Sequence, residues 1–296
     1  MKKIFNLQLF ADANTTKASD LAKVRDVDFA ERFVAGLDTL LKMLGVTRKI
    51  EKKAGEVLKV YKVNGTLEDG NVAEGEIIPL SKYSTTYEPI GEAILNKWRR
   101  VTTAEAISSK GFGQAVNDTN NKMLKDIQKG VRSKFVNFLA TGTGAASGVG
   151  LQGALAQVWG QLQVLFEDTS VEVVYFLNPL DVADYLGGAQ ITTQTAFGMS
   201  YIENFLGMGT VILASDVPKG KIYATAAENI VCYYIPVSSA DLGEVFNLTS
   251  DETGLIGIHT SAVYNNFTAE TVSASGVGLF AEMLDGIVVG TITPAA

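Results

Sequence analysis

The chain has 296 residues, 47% hydrophobic and 19% charged, which is enough to bury one large or two moderate cores and excludes disorder of the whole. Its net charge of −7 hides an asymmetry: residues 1–134 carry 23 basic against 17 acidic side chains, and beyond them Lys219 and Lys221 are the only basic residues. One cysteine, Cys232 in the apolar run Ile230–Tyr234, excludes an intrachain disulfide and a cysteine metal cage, and reads as a small buried hydrophobe that fits a reducing compartment.

The basic first part calls for an acidic counterpart, such as nucleic acid or the acidic surface of another copy. The opening Met1–Ala11 has a basic head, but Asn6 and Gln8 interrupt the apolar stretch, so it is too short for a secretory signal. Phe5, Leu7 and Leu9 alternate with polar residues, as in an extended arm that lays one face on a surface. Nothing later approaches the roughly 18–20 continuous apolar residues of a membrane helix.

Phe29, Phe33, Leu37, Leu40, Leu41 and Leu44 recur at helical spacing behind Asp28, and Gly45 closes a short amphipathic helix. Glu56–Val63 is rich in strand formers and meets two turn dipeptides, Asn64-Gly65 and Asp69-Gly70, so 48–95 reads as a long polar two-stranded excursion. Such a hairpin is marginally stable alone and needs a surface to lie on. Thr102-Thr103-Ala104-Glu105 has capping-box spacing and opens a short helix that Lys110-Gly111 stops. A longer helix follows over 113–140, striped by Val116, Met123, Ile127, Val131, Phe135 and Phe138; at 1.5 Å per residue it spans roughly 40 Å. Lys122, Lys125, Lys129, Arg132 and Lys134 line its other faces.

Gly142–Gly150 reads as a flexible linker and a domain boundary. Beyond it helices are expected at 151–166 and from Pro179 to Gly187-Gly188, with strands at 171–177, 210–214, 221–225 and 229–235 and more in the last third. Their mixed order gives an α+β class rather than a regular βαβ repeat.

Catalytic chemistry finds no footing. The glycine-rich stretch follows a helix and holds no basic residue, so both nucleotide fingerprints fail. His259, the only histidine, sits in an apolar run without a nucleophile to serve, and Asp181 and Asp184 have no third ligand in sight. No catalytic, cofactor-binding or metal residue is assigned.

The order of these signals carries a resemblance. Asn6-Leu7-Gln8-Leu9-Phe10-Ala11, the extended excursion, Val101–Ala106 leading into the long helix, and Gly278–Gly286 together resemble the major capsid proteins of tailed bacteriophages, over nearly the full chain. The resemblance implies the Hong Kong 97 fold: an N-terminal arm and helix (1–47), an extended loop (48–95), a peripheral domain with the spine helix (96–142 and 256–276) and an axial domain (143–255 and 277–296). It implies a protein without enzymatic activity or cofactor, assembling as hexamers and pentamers into an icosahedral head around double-stranded DNA, in the virion and, during assembly, the host cytoplasm. It further implies a portal, decoration proteins and, where scaffolding is needed, a separate scaffolding protein or the short arm in that role, since the chain leaves no room for the scaffolding domain of about a hundred residues that some members carry. A lysine–asparagine crosslink of some members would fall on Lys82 with Asn265 or Asn266, but nothing local marks these. Alternatives are an encapsulin-like nanocompartment shell of the same fold, or an enzyme with an unrecognised site.

Within that frame the physical account of the charge split is subunit contact. Phe5, Leu7, Leu9, Val57, Val60 and Tyr61 are expected to bury on a neighbour, while Arg48, Lys49, Lys52, Lys53, Lys59 and Lys62 meet its acidic Asp241, Glu244, Asp251 and Glu252.

Overall fold

A computed structural model describes residues 18–167, 171–188, 193–196, 199–238, 240–250 and 252–294. The first element, α1 (Ala18–Met43), is 26 residues long, so the helix expected to be short reaches more than two turns further toward the N-terminus. Phe29, Phe33, Leu37, Leu40, Leu41 and Leu44 are buried as their spacing requires, and the chain leaves the helix through Gly45 at φ +65°.

Next come β1 (Lys49–Glu51), β2 (Val57–Thr66), β3 (Lys82–Glu92) and β4 (Asn96–Thr103). β1 pairs with a strand of the body, so the excursion proper is the β2–β3 hairpin, a sheet of two that no other described strand joins. Asn64-Gly65 does not turn; it lies inside β2, with Gly65 opposite Tyr83. A Cβ on Gly65 would stand 2.5 Å from the Tyr83 ring, so the glycine serves a close cross-strand approach, and the chain reverses over 67–81 instead.

Helix α2 (Ala104–Lys110) is capped by Thr103, whose hydroxyl accepts from the Ala106 N–H at 3.4 Å, one residue later than the capping-box spacing indicated. After Gly111, α3 (Phe112–Leu139) runs for 28 residues; Ile127, Val131 and Phe135 are buried, and Met123 and Phe138 pack against the core from its edge.

The remaining elements are β5 (Gly144–Val149), α4 (Gly150–Leu165), β6 (Val173–Leu177), α5 (Pro179–Gly188), β7 (Gln194–Ala196), β8 (Met199–Ile202), β9 (Thr210–Leu213), β10 (Lys221–Ala226), β11 (Ile230–Tyr234), β12 (Thr249–Ser250), β13 (Ile256–Val263), β14 (Thr268–Ser275), β15 (Gly278–Ala281) and β16 (Ile287–Thr293). The expected linker is β5, an edge strand in parallel register with β16. Its glycines answer packing, since a Cβ on Gly148 would lie 2.5 Å from the Gly153 backbone of α4.

A seven-stranded mixed sheet, ordered β5-β16-β10-β6-β9-β8-β7, divides the core into two layers. Every residue of β6 is buried, and because side chains alternate across a strand, successive residues serve opposite layers. Val174 and Phe176 join α1 and α3, and Phe135 meets the Phe176 ring edge-on at 5.6 Å. Val173, Tyr175 and Leu177 face the other way and pack with Leu155, Val158 and Leu162 of α4. Burial pushes the Tyr175 phenol and the Cys232 thiol up, the latter to about 12. A four-stranded sheet, β12-β13-β14-β4, and a three-stranded one, β1-β11-β15, complete the body.

Candidate subunit-contact surfaces

The hairpin is paired from Val57 to Thr66, ten positions that extend it by roughly 33 Å. Among its described side chains only those near the root are covered. Leu58 is buried against Val231 and Phe280, with Ile50, Ile90, Phe138 and Tyr233 around it. Val60 is also buried within its own chain, at 8% exposure, so it is not free for a neighbour as the sequence suggested. All of β3 except Ile90 is exposed.

The far end is different chemistry. Leu67, Ile77, Ile78 and Leu80 are 69–94% exposed, and the segment Leu67–Ser81 holds Glu68, Asp69, Glu74 and Glu76 with no basic residue. Soluble monomers rarely display several large aliphatic residues together unless something covers them. Sequence reasoning centred on the basic stem and missed this tip, although Ile77-Ile78-Pro79-Leu80 stands out in a stretch of acids and glycines. The β13–β14 turn makes a second exposed apolar point, with Tyr264 at 82% and Phe267 at 77% and φ +50°.

The basic residues at the hairpin root are largely engaged at home. Both terminal nitrogens of Arg48 grip the Glu282 carboxylate at 2.6 Å, which raises the arginine's pKa further, and Lys49 reaches Asp38 at 2.9 Å. Lys52 pairs with Glu56, and the Lys53 N–H donates to the same carboxylate at 3.1 Å, so Glu56 titrates below the usual carboxylate range. The ammonium of Lys59 lies over the Tyr87 ring at 4.6 Å. Tyr61 and Lys62 are placed by backbone alone, opposite Tyr87 and Thr86. On the acidic side, Asp241 and Glu244 lie in the helical turn Ala240–Glu244, and Glu244 and Glu252 are exposed. Phe5, Leu7, Leu9 and Asp251 fall outside the described residues.

Beneath these surfaces a polar network fixes the frame that carries the hairpin. Nη2 of Arg100 on β4 donates to Asn120 Oδ1 of α3 at 2.8 Å and to Thr271 Oγ1 of β14 at 2.9 Å. Thr260 Oγ1 of β13 donates to Asp26 Oδ1 of α1 at 3.0 Å and lies 3.2 Å from Thr271 Oγ1. Burial lowers the Arg100 pKa and the Asp26 charge opposes that shift. Five elements therefore meet at one site that tolerates little displacement. Outside it, Arg99 forms a two-pronged pair with Glu270 at 2.6 and 2.9 Å, which raises the arginine's pKa and lowers that of the glutamate.

Among the described residues no group of three or more histidine, cysteine, aspartate or glutamate side chains could hold a metal, and no helix is long and apolar enough to cross a membrane.

In comparison with known proteins, no family model and no curated protein matches this chain. Solved structures do. The virus-like particle from Pyrococcus furiosus is 14% identical, covering 88% of this chain and 97% of that one at a TM-score of 0.50. The capsid of Cyanophage P-SCSP1u is 8% identical, covering 84% and 86% at 0.52, and the capsid of an empty GTA particle is 10% identical, covering 84% and 89% at 0.52. At such identities the likeness is one of fold. The chain has the Hong Kong 97-like fold of capsid proteins, as its sequence led one to expect.

Proposed function

We propose that this chain is a major capsid protein whose copies assemble into the icosahedral head of a tailed bacteriophage around double-stranded DNA. The observation that carries the reading is the hairpin Val57–Glu92, which leaves the body after its root and exposes at its end aliphatic residues that no described part of the same chain covers. Burying one such side chain stabilises by about 1.5–3 kcal/mol, and symmetry repeats the gain at every copy. The capsid fold supports the same reading.

The division into a peripheral part (96–142 and 256–276) and an axial part (143–255 and 277–296) belongs to this proposal. Strands β13, β14 and β4 of the four-stranded sheet support the first and the seven-stranded sheet the second. So do a purely structural role without catalysis, residence in the virion and in the host cytoplasm during assembly, hexameric and pentameric units, and separate scaffolding, portal and decoration proteins. Lys53 and Lys59, with Glu244 and Glu252, remain proposed contacts between copies; Arg48, Lys49 and Lys52 would first have to leave partners in their own chain.

The test is expression of the chain alone and with a scaffold, followed by sedimentation and negative-stain microscopy. Icosahedral particles are expected. A persistent monomer under both conditions would overturn the reading, and particles filled with a protein cargo instead of DNA would reassign the shell to a nanocompartment.

A further inference from the structure

We infer that residues 5–9 of one copy add as an eighth strand to the seven-stranded sheet of a second copy, along the free edge of β5, with Phe5, Leu7 and Leu9 on the side of α4. The inference rests on the shell reading and names the surface that receives the N-terminal segment within it.

Free sheet edges are templates for pairing with another chain, and folded proteins guard them with charge, proline, bulges or brevity. Among the described strands every free edge but one has such a guard. β1, β7, β12 and β15 have four residues or fewer, β4 carries Lys97, Arg99 and Arg100, and the hairpin strands carry lysines, Pro89 and a bulge between Leu58 and Lys59. β5 has none of these: its six residues are Gly, Ala, Ser and Val, and it pairs with β16 on one side alone. The lack of charge extends well past the strand, since residues 135–166 include no Asp, Glu, Lys or Arg.

The two faces of β5 differ, and the difference sets what an added strand must look like. Ala146 and Gly148 face α4: Ala146 packs against the core on that side, and a Cβ on Gly148 would stand 2.5 Å from the Gly153 backbone. Ala145, Ser147 and Val149 alternate to the other face and are exposed. A strand laid along this edge borders α4 on one face and water on the other, which calls for alternating apolar and polar residues. Phe5-Asn6-Leu7-Gln8-Leu9 has that alternation, in the segment that precedes α1. The segment's own copy offers the edge at the wrong end. α1 packs in the layer opposite α4 and touches β7, the far edge of the same sheet. From there to β5 is roughly 29 Å at about 4.8 Å per strand, while the chain between Leu9 and Ala18 extends at most about 30 Å, which leaves nothing with which to round the sheet and change layers. The occupant is therefore a second copy's segment, held by main-chain hydrogen bonds in a head-to-tail contact.

Full-length Gln8→Cys and Ser147→Cys variants put the two thiols on the same, water-facing side of the added strand pair, and a short bis-maleimide on the assembled mixture tests the contact directly. Cys232 is fully buried with its thiol pushed up to about 12, so it gives no competing reaction. A crosslinked dimer is expected from the mixture and from neither variant alone, and a ladder of multimers from the double variant. A crosslinked monomer from the double variant would show the segment seated on its own copy and overturn the inference. Particles that form without crosslinks would also overturn it and leave the shell reading standing; a wild-type chain that forms no particles would sink both. As a second measurement on the wild-type chain, the β5 amides that do not pair with β16 should exchange their hydrogens about tenfold or more slowly in particles than in the monomer. Equal rates in the two states would count against the added strand. Unchanged circular dichroism of each variant confirms that the monomer still folds.

Discussion

The β2–β3 hairpin and the central strands of the seven-stranded sheet are rich in the same strand-forming residues, yet the first is mostly exposed and the second are sealed. In β6 all five residues are buried, because α4 and α5 cover one face while α1 and α3 cover the other. In β3 ten of eleven residues are exposed, because beyond the root no described element lies on either face. Strand propensity explains both elements equally well; what differs is who supplies the covering layer. For the sheet it is the same chain, and for the hairpin we argue that it is a neighbour.

Substitutions should therefore separate two quantities, the stability of the monomer and the stability of the assembly. The largest effect on the monomer is expected at Phe33, which is completely buried between α1 and the body. Phe33→Ala should cost about 3–5 kcal/mol, measured by urea denaturation, and should abolish soluble expression if the chain is marginal. Leu58→Ala acts at the border between the two regions, where Leu58 packs on Val231 and Phe280. About 2 kcal/mol is expected, the low end for such a truncation because the hairpin side of the site can relax into solvent. A loss as large as that of Phe33→Ala would mean that the hairpin root is part of the main core, and the comparison would have to be redrawn.

At the tip the contrast should be sharpest. Ile78→Ser with Leu80→Ser is expected to change the unfolding midpoint by no more than about 0.5 kcal/mol, since both side chains already face water. The same pair should weaken each contact in the shell by roughly tenfold or more, read from the concentration at which particles first sediment. If the midpoint falls as far as for Leu58→Ala, the tip is packed within its own chain and the hairpin is not an assembly element.

Much of this organisation can be read before any coordinates. The stripe Met123, Ile127, Val131, Phe135 locates α3 to within a residue at each end, since a 3.6-residue period admits no other element over that length. Two misreadings came from glycine. Asn64-Gly65 and Gly142–Gly150 have the local composition of a turn and a linker, but Gly65 makes room for Tyr83 across the hairpin and Gly148 for the backbone of α4. Both needs arise from residues distant in sequence or on another element, which local propensity does not register. The partners that the basic residues find in their own chain stay hidden for the same reason: Arg48 and Glu282 lie 234 positions apart, and their pairing becomes visible only once β1 is docked beside β11 and β15.

The smallest effect concerns acid, and it compares one carboxylate of each region. Glu56 at the hairpin root is held below its ordinary value of 4.5 by Lys52 and the Lys53 N–H, and Glu270 of the body by Arg99. A carboxylate whose folded pKa is depressed binds its proton more readily when unfolded. Its stabilising contribution is therefore complete above pH 4.5 and is lost as the pH falls through the lower folded value. Glu56 is exposed and Glu270, partly buried, pairs with an exposed arginine, so each contribution is small and weakens with salt. Glu270→Gln should flatten the fall in global stability below pH 4.5, seen as a wild-type and variant difference that shrinks on acidification. Glu56→Gln should leave the global midpoint almost unmoved and instead speed hydrogen exchange at Gly55 and Ala93, whose N–H groups close the hairpin root. Equal global effects from the two variants would mean that the hairpin unfolds together with the body, which would remove the independence on which its role as an outreaching contact depends.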